Sequence, residues 1–237
     1  MIKKTLLFVY DFPHAKSVRF LRKLKESDIK IDVIIAASYK TIKKTKRLYD
    51  FHKYNSTSVH PKDLAKKYKI PYFNLDHNSI DVKKIKIDNK INFGIIAGAR
   101  ILSLELIKLF SYGILNIHPG LLPQNRGLDS ILWAIKKNNK IGISAHLIND
   151  KIDAGRLVLN QVIIPEKNDN IFDLYKKVFE AQINILPKAY NEINLDKKYN
   201  ILTTVGYNTY MPLTIQENTL NNLKYYIANY SKISFDE

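Results

Sequence analysis

Gly113-Ile114-Leu115-Asn116-Ile117-His118-Pro119-Gly120-Leu121-Leu122-Pro123 is the stretch on which the reading of this chain turns. Its first six residues are a short, mostly apolar run that stops at a Pro-Gly break, as a buried strand does when it runs out into a loop. Residues two apart on a strand project from one face. Asn116 and His118 can therefore share one ligand.

The same rhythm extends in both directions. Upstream, residues 6–10 and 31–36 are apolar runs, and Val18, Leu21 and Leu24 repeat between them at helical spacing. A second round predicts a helix over 60–67, an extended piece at 71–73, a buried strand over 92–97 and a helix from 103 to 110 capped by Ser103. Downstream, Asp129 reads as the cap of a helix with the stripe Leu128, Ile131, Leu132 and Ile135. Strands follow over 141–148 and 156–164, then a long amphipathic helix behind Asp169-Asn170. Strands alternating with helices predict an α/β, Rossmann-like domain whose mostly parallel sheet carries helices on both faces. In such sheets the ligand lies beyond the carboxyl ends of the strands, which is where His118 falls. The polar stretch 191–200 marks a boundary, so residues 1–194 form the expected catalytic domain and 195–237 a short extension. Within the extension, 201–205 and 210–213 around Gly206-Tyr207-Asn208 suggest a hairpin or two extended pieces.

At 237 residues with 46% apolar and 25% charged side chains, the chain can bury a full core. The absence of cysteine leaves no disulfide framework, thiolate nucleophile or zinc–thiolate site, in agreement with a cytoplasmic protein. The apolar run at 5–10 is interrupted by Asp11 far short of a membrane span and reads as a first strand. The net charge of +16 is almost all Lys, scattered through stretches such as 40–46 and 83–86. That pattern favours a solvated, lysine-biased surface over a polyanion groove, so neither nucleic acid nor membrane is an expected partner.

An amide, an imidazole and a carboxylate, with no metal motif, suit acyl transfer to an amine. That reaction needs a base to leave the amine neutral, donors aimed at the developing oxyanion and a group that fixes the imidazole. Asn116 supplies an uncharged donor and His118 a proton carrier near neutrality, and an aspartate would supply a fixed negative charge. His146 alternates with Ser144 along its strand and reads equally as a neighbour of the site or as a packed core group. Arg126 suits either a substrate phosphate or the backbone carbonyls of its own loop.

The run from Asn116 to Pro123, then Arg126-Gly127, Gly142-Ile-Ser-Ala-His146 and Asp153-Ala-Gly155, with Arg100-Ile-Leu-Ser103 upstream, resembles the folate-dependent formyltransferases. The resemblance implies a Rossmann-like domain that passes a formyl group from 10-formyltetrahydrofolate, without a metal, to an amine. It places the family's catalytic residues on Asn116, His118 and Asp153, with Asp153 orienting the imidazole and favouring its charged form. It lines the folate pocket with Ala99, Arg100, Ile101 and Leu102 and with Ile148, Asn149 and Asp150, beside His146. Members of this family often form homodimers.

The purine-biosynthesis member of that family carries a glycine-rich phosphate loop after its first strand, where this chain has Tyr10-Asp11-Phe12-Pro13-His14. The initiator-tRNA member carries a carboxyl-terminal barrel, whereas little sequence follows Asn194 here. The run Asn125-Arg-Gly-Leu-Asp-Ser-Ile-Leu-Trp133-Ala-Ile135 and the tyrosines of 206–210 resemble the members that act on nucleotide-linked amino sugars. The implied substrate is dTDP-4-amino-4,6-dideoxyglucose, on the way to an O-antigen or other surface polysaccharide. Tyr10, Pro119, Gly120, Arg126, Tyr207 and Tyr210 are the expected substrate contacts, the tyrosines either stacking on a base or covering the domain's flank. A methionyl-tRNA formyltransferase and a formyltetrahydrofolate hydrolase are the alternatives.

Overall fold

A computed structural model describes residues 2–40, 46–49, 56–203 and 206–231. The lysine-rich stretch 41–45 lies outside the described residues, as do Thr204 and Val205 of the expected hairpin. Eight strands form one sheet in the order β3-β2-β1-β4-β5-β6-β7-β8. β1 (Thr5–Tyr10) is central because its apolar side chains are buried on both faces; it pairs in parallel with β2 (Val33–Ala37) and β4 (Phe93–Ile96). β3 (Tyr72–Asn74) and β5 (Ile114–His118) extend this parallel half. β6 (Gly142–Leu147), β7 (Arg156–Val162) and β8 (Asn200–Ile201) then add on antiparallel. The α/β architecture with a mostly parallel sheet is thus the observed one.

Alternation along the strands divides the core. Leu7, Val9 and Ile34 face α1 (Ala15–Glu26) and α6 (Ile171–Glu192), whose Val18, Leu21, Leu174 and Val178 complete one cluster. Leu6, Phe8, Val33 and Ile35 face the other way, toward Val82 of α3 (Ile80–Asp88) and Leu106 of α4 (Leu104–Ile107). The helix starts have local causes. Ser103 accepts from Leu106 N at α4, and Asn170 and Asp173 form a reciprocal capping box at α6. α2 (Pro61–Lys67) and α5 (Ser130–Lys136) occupy the predicted positions.

Two expectations are corrected. Asp129 stands at the start of α5 but makes no cap bond; its backbone is left-handed at φ 48°, and its carboxylate accepts from Met211 N and pairs with Arg47 at 3.0 Å. These bonds of the buried Asp129 carboxylate outcompete the cap because they join two distant segments to the helix start. Of the hairpin or two extended pieces expected over 201–213, the described residues show a separate extended piece at β8 (Asn200–Ile201), while 210–213 run into a helix. Ile201 pairs with Arg156 on the otherwise open edge of β7, and Pro212, with φ preset near the helical value, opens α7 (Leu213–Asn221), followed by α8 (Leu223–Tyr230). No described helix is long and apolar enough to cross a membrane.

Candidate functional site

The polar cluster forms where the β4 ladder ends and β5 continues. The last paired residue of β5 on that side is Leu115, so Asn116, Ile117 and His118 run past the edge of the parallel half. On the other side β6 accompanies them, setting Asn116 opposite His146 and His118 opposite Ser144.

His118 is buried between two acceptors. Its Nε2 lies 2.7 Å from the Asn125 carbonyl and its Nδ1 lies 3.3 Å from Asp153 Oδ1. With a proton on each nitrogen, the ring donates to both. Asp153 also accepts from Gly127 N at 2.8 Å through its second oxygen. Burial alone would raise the Asp153 carboxyl, but the hydrogen bond and charge of His118, the Gly127 N–H and His146 together hold it down at about 2. The carboxylate is therefore a fixed negative charge at any physiological pH.

Asn116 Nδ2 lies 3.1 Å from His146 Nε2, and His146 Nδ1 lies 2.9 Å from the Ala154 carbonyl. A carbonyl can only accept, so the proton sits on Nδ1 and Nε2 is left to accept from the asparagine. Burial, then the nearby charge of His118, pulls His146 down to about 4, so the ring stays neutral and keeps that acceptor. One N–H of Asn116 is spent on His146; the other has no partner among the described residues. His146, which suited either a site or a packing role on sequence grounds, is fully buried and bonded to Asn116.

Small groups make room for this cluster. A Cβ on Gly120 would come within 2.9 Å of His118 Nε2 and 2.7 Å of the Asn125 carbonyl, so only glycine lets the loop close on the imidazole. Pro119 O accepts from Ser130 Oγ and Gly120 O from Ser144 Oγ, which pins the loop to α5 and β6.

The remaining expected residues divide. Arg126 is buried, with Nε and Nη2 donating to the Ile152 carbonyl and Nη1 to the Gly206 carbonyl; the bonds are those of the loop-fixing role. Tyr10 donates to the Ala99 carbonyl and stacks on Phe12 at 5.1 Å, joining the end of β1 to the 99–102 loop. Arg100 and Ile101 line a cavity of about 610 Å³ with Ser38, Lys40, Asn74 and Asn78, beyond the ends of β2 and β3, while Leu102 is core. Ile148 packs against the α3–α4 core, Asn149 turns its amide oxygen back to Lys151 N, and Asp150 is exposed. Tyr207 is exposed and Tyr210 lies under Arg47. No contact joins either tyrosine to the cluster among the described residues.

Those tyrosines belong instead to a strap. Asn208 N donates to Arg126 O and Leu128 N to Asn208 O, a short parallel pairing of 206–211 with the loop that carries Gly127. Trp133 Nε1 donates to Thr209 O and Lys137 to the Asn208 side chain. Sequence reasoning missed this brace because backbone pairing leaves no residue-type signal. It also missed Lys16, whose Nζ donates to the Ile117 carbonyl at 2.9 Å.

Fold and site together define an α/β domain with an amide, an imidazole and a carboxylate gathered past the last parallel strand. The chain belongs to the formyl transferase family, whose model matches residues 20–190. It is 27% identical over 224 residues to the methionyl-tRNA formyltransferase of Prochlorococcus marinus subsp. pastoris, covering 93% of this chain and 66% of that protein. The chain thus spans just under two thirds of that relative's length. Its fold is similar to the solved phosphoribosylglycinamide formyltransferase from Anaplasma phagocytophilum, with a TM-score of 0.60 and 20% identity, covering 80% of this chain and 86% of that one. It is also similar to a sugar N-formyltransferase from Shewanella, with a TM-score of 0.59 and 18% identity, covering 92% and 86%.

Proposed function

We propose that this protein transfers a formyl group from 10-formyltetrahydrofolate to the amine of a nucleotide-linked amino sugar. The observation that carries the transfer chemistry is the meeting of Asn116, His118 and Asp153 at the end of β5. The donor set beside the 99–102 loop suits a reduced folate: Arg100 offers charge to an anionic tail, Lys40 is paired with Asp76 of the same cavity, and Asn74 and Asn78 each keep a second amide N–H. Bound there, 10-formyltetrahydrofolate supplies the formyl carbon.

The chain's own residues account for the rest. The outer N–H of Asn116 and the cationic His118 stabilise the negative charge that develops on a carbonyl oxygen under attack by an amine. Asp153 holds the imidazole in place. His118, its Nε2 exchanging the Asn125 carbonyl for the substrate, moves the proton from the incoming nitrogen toward the one that departs. Gly120 and the 119–130 loop close over the ring and exclude water from it.

The amino-sugar acceptor is supported by the aromatic group at the mouth of β1, where Tyr10 and Phe12 stack and Tyr39 lies edge-on to Phe12 at 5.5 Å. Such a surface suits a flat base. The similarity to methionyl-tRNA formyltransferases and the +16 charge favour a second reading, in which initiator tRNA presents the amine. One assay decides between them. The protein is incubated with 10-formyltetrahydrofolate and, separately, dTDP-linked 4-amino and 3-amino sugars, initiator methionyl-tRNA, glycinamide ribonucleotide or no amine. Tetrahydrofolate release with an amino sugar supports the proposal; release with tRNA alone overturns the acceptor, and release without any amine makes the protein a hydrolase.

A further inference from the structure

We propose that Lys16 is a positioning residue of the formyl-transfer site, its ammonium clamping the peptide carbonyl between Asn116 and His118 and holding a positive charge toward Asp153. The inference rests on the reading of Asn116 and His118 as the transfer residues.

The sheet creates the need for the clamp. β4 accompanies β5 only as far as Leu115, so two residues later the Ile117 carbonyl has left the ladder. Lys16, in the first turn of α1, reaches across and takes that carbonyl at 2.9 Å. Asn116 and His118 hang from either side of this residue, so a rotation of its peptide planes would swing both side chains out of line. Fixing one backbone oxygen steadies two functional groups at once.

The cation is placed against its own hydration. Lysine is rarely taken out of water without a partner, and this one lies over the Phe20 ring at 5.1 Å with one carbonyl as its hydrogen-bond acceptor among the described residues. Burial lowers the amine to about 8, and the charge of Asp153 opposes that fall. The titratable groups around it are Asp153, whose charge sustains the ammonium, and His146, whose protonation the ammonium opposes. Lys16 thus adds a small contribution to the neutrality that burial already imposes on His146 while it holds the strand. The other basic residues of α1 serve differently; Arg19, for example, pairs with Glu180 of α6 at 2.7 Å.

The charge and the donor are separable by substitution. Lys16→Gln keeps a donor without the charge, Lys16→Met removes both, and Lys16→Arg keeps both with a group that does not deprotonate. Turnover is followed across pH with 10-formyltetrahydrofolate and the amine found in the assay above. Wild-type turnover is expected to fall on the alkaline side near pH 8, as the amine loses its proton. Lys16→Arg should carry that fall to higher pH; Lys16→Gln should lose it and run roughly tenfold slower, and Lys16→Met slower still. A substrate-free readout is the carbon-13 NMR titration of the Lys16 side chain, assigned by its loss in Lys16→Arg. Its midpoint near 8 should drop in Asp153→Asn, because a neighbouring negative charge is gone. A titration unmoved by Asp153→Asn overturns the proposal, as does a Lys16→Gln profile that overlays the wild type. An unfolded Lys16→Gln overturns it too, since the contact would then be structural. If instead His118→Ala retains full turnover while the Lys16 titration behaves as described, the catalytic reading fails and the clamp stands.

Discussion

Asn116 and His146 stand directly opposite each other across the β5–β6 ladder, and the amide of one donates to the ring of the other at 3.1 Å. A neutral imidazole, with its proton committed to Ala154, tells the asparagine which way to face. If the amide turned over, two acceptors would meet and the open N–H would leave the site. His146→Leu is therefore expected to keep the fold and lower turnover by about tenfold or more, whereas His146→Gln, which places an acceptor near the Nε2 position, should recover part of it. Equal activity in the Leu variant and the wild type would show that Asn116 orients itself.

Asn116 has the larger expected effect. Losing a single donor to a developing oxyanion costs on the order of a hundredfold to a thousandfold in turnover. Asn116→Ala should fall in that range and stay folded with a modestly lowered thermal melt, because the buried Nε2 of His146 loses its donor while the strand neighbours Leu115 and Ile117 carry the packing. Full activity in this variant would remove the donor from the proposed chemistry.

Acid should unfold the protein through the same residues. His146 lies at about 4 in the folded state against 6.5 for the free group, so the folded chain binds fewer protons between those values. Its contribution is complete above pH 6.5 and is lost as the pH falls toward 4. Asp153, depressed to about 2 from 3.8, contributes above 3.8 and loses that contribution as the pH falls toward 2. Denaturant midpoints should drop from neutral pH to about pH 4.5 by an amount equivalent to roughly 2–3 kcal/mol, nearly all through His146. His146→Gln should flatten that slope; the same slope in the variant would place the acid sensitivity elsewhere.

Gly127 joins the strap to the site. Its φ of +90° suits glycine, and an added Cβ would collide with the Asn208 backbone. Gly127→Ala is expected to cost about 1–3 kcal/mol of stability and to loosen the N–H that holds Asp153. Turnover measured at a temperature where the variant is fully folded should still be reduced. A variant that loses stability alone would separate the strap from the chemistry.

Much of this molecule is written in its periodicities. β1, α1, β5 and α6 were readable because apolar side chains recur at spacings of two or of three and four, and the core they build is the one expected. α3 was not, because Ile80 and Ile87 are exposed and only Val82 is buried, so no stripe forms. α7 hid behind Pro212, which fits a strand edge as well as a helix start. At the site, Asn116 and His118 announced themselves by their spacing and Asp153 by resemblance. Lys16 did not, since a lysine early in a basic helix reads as solvent-facing until the β5 carbonyl it serves is seen. Asp129 was misassigned for the converse reason: a local cap can be read from sequence, while a bond to Met211 joins residues 82 positions apart.

The strap from 206 to 211 has a consequence in time. A nascent chain that has emerged only as far as β8 already contains Asn116, His118 and Asp153, yet the loop joining them still lacks its pairing partner, Asn208. Vectorial synthesis therefore delivers the chemistry first and its scaffold afterwards.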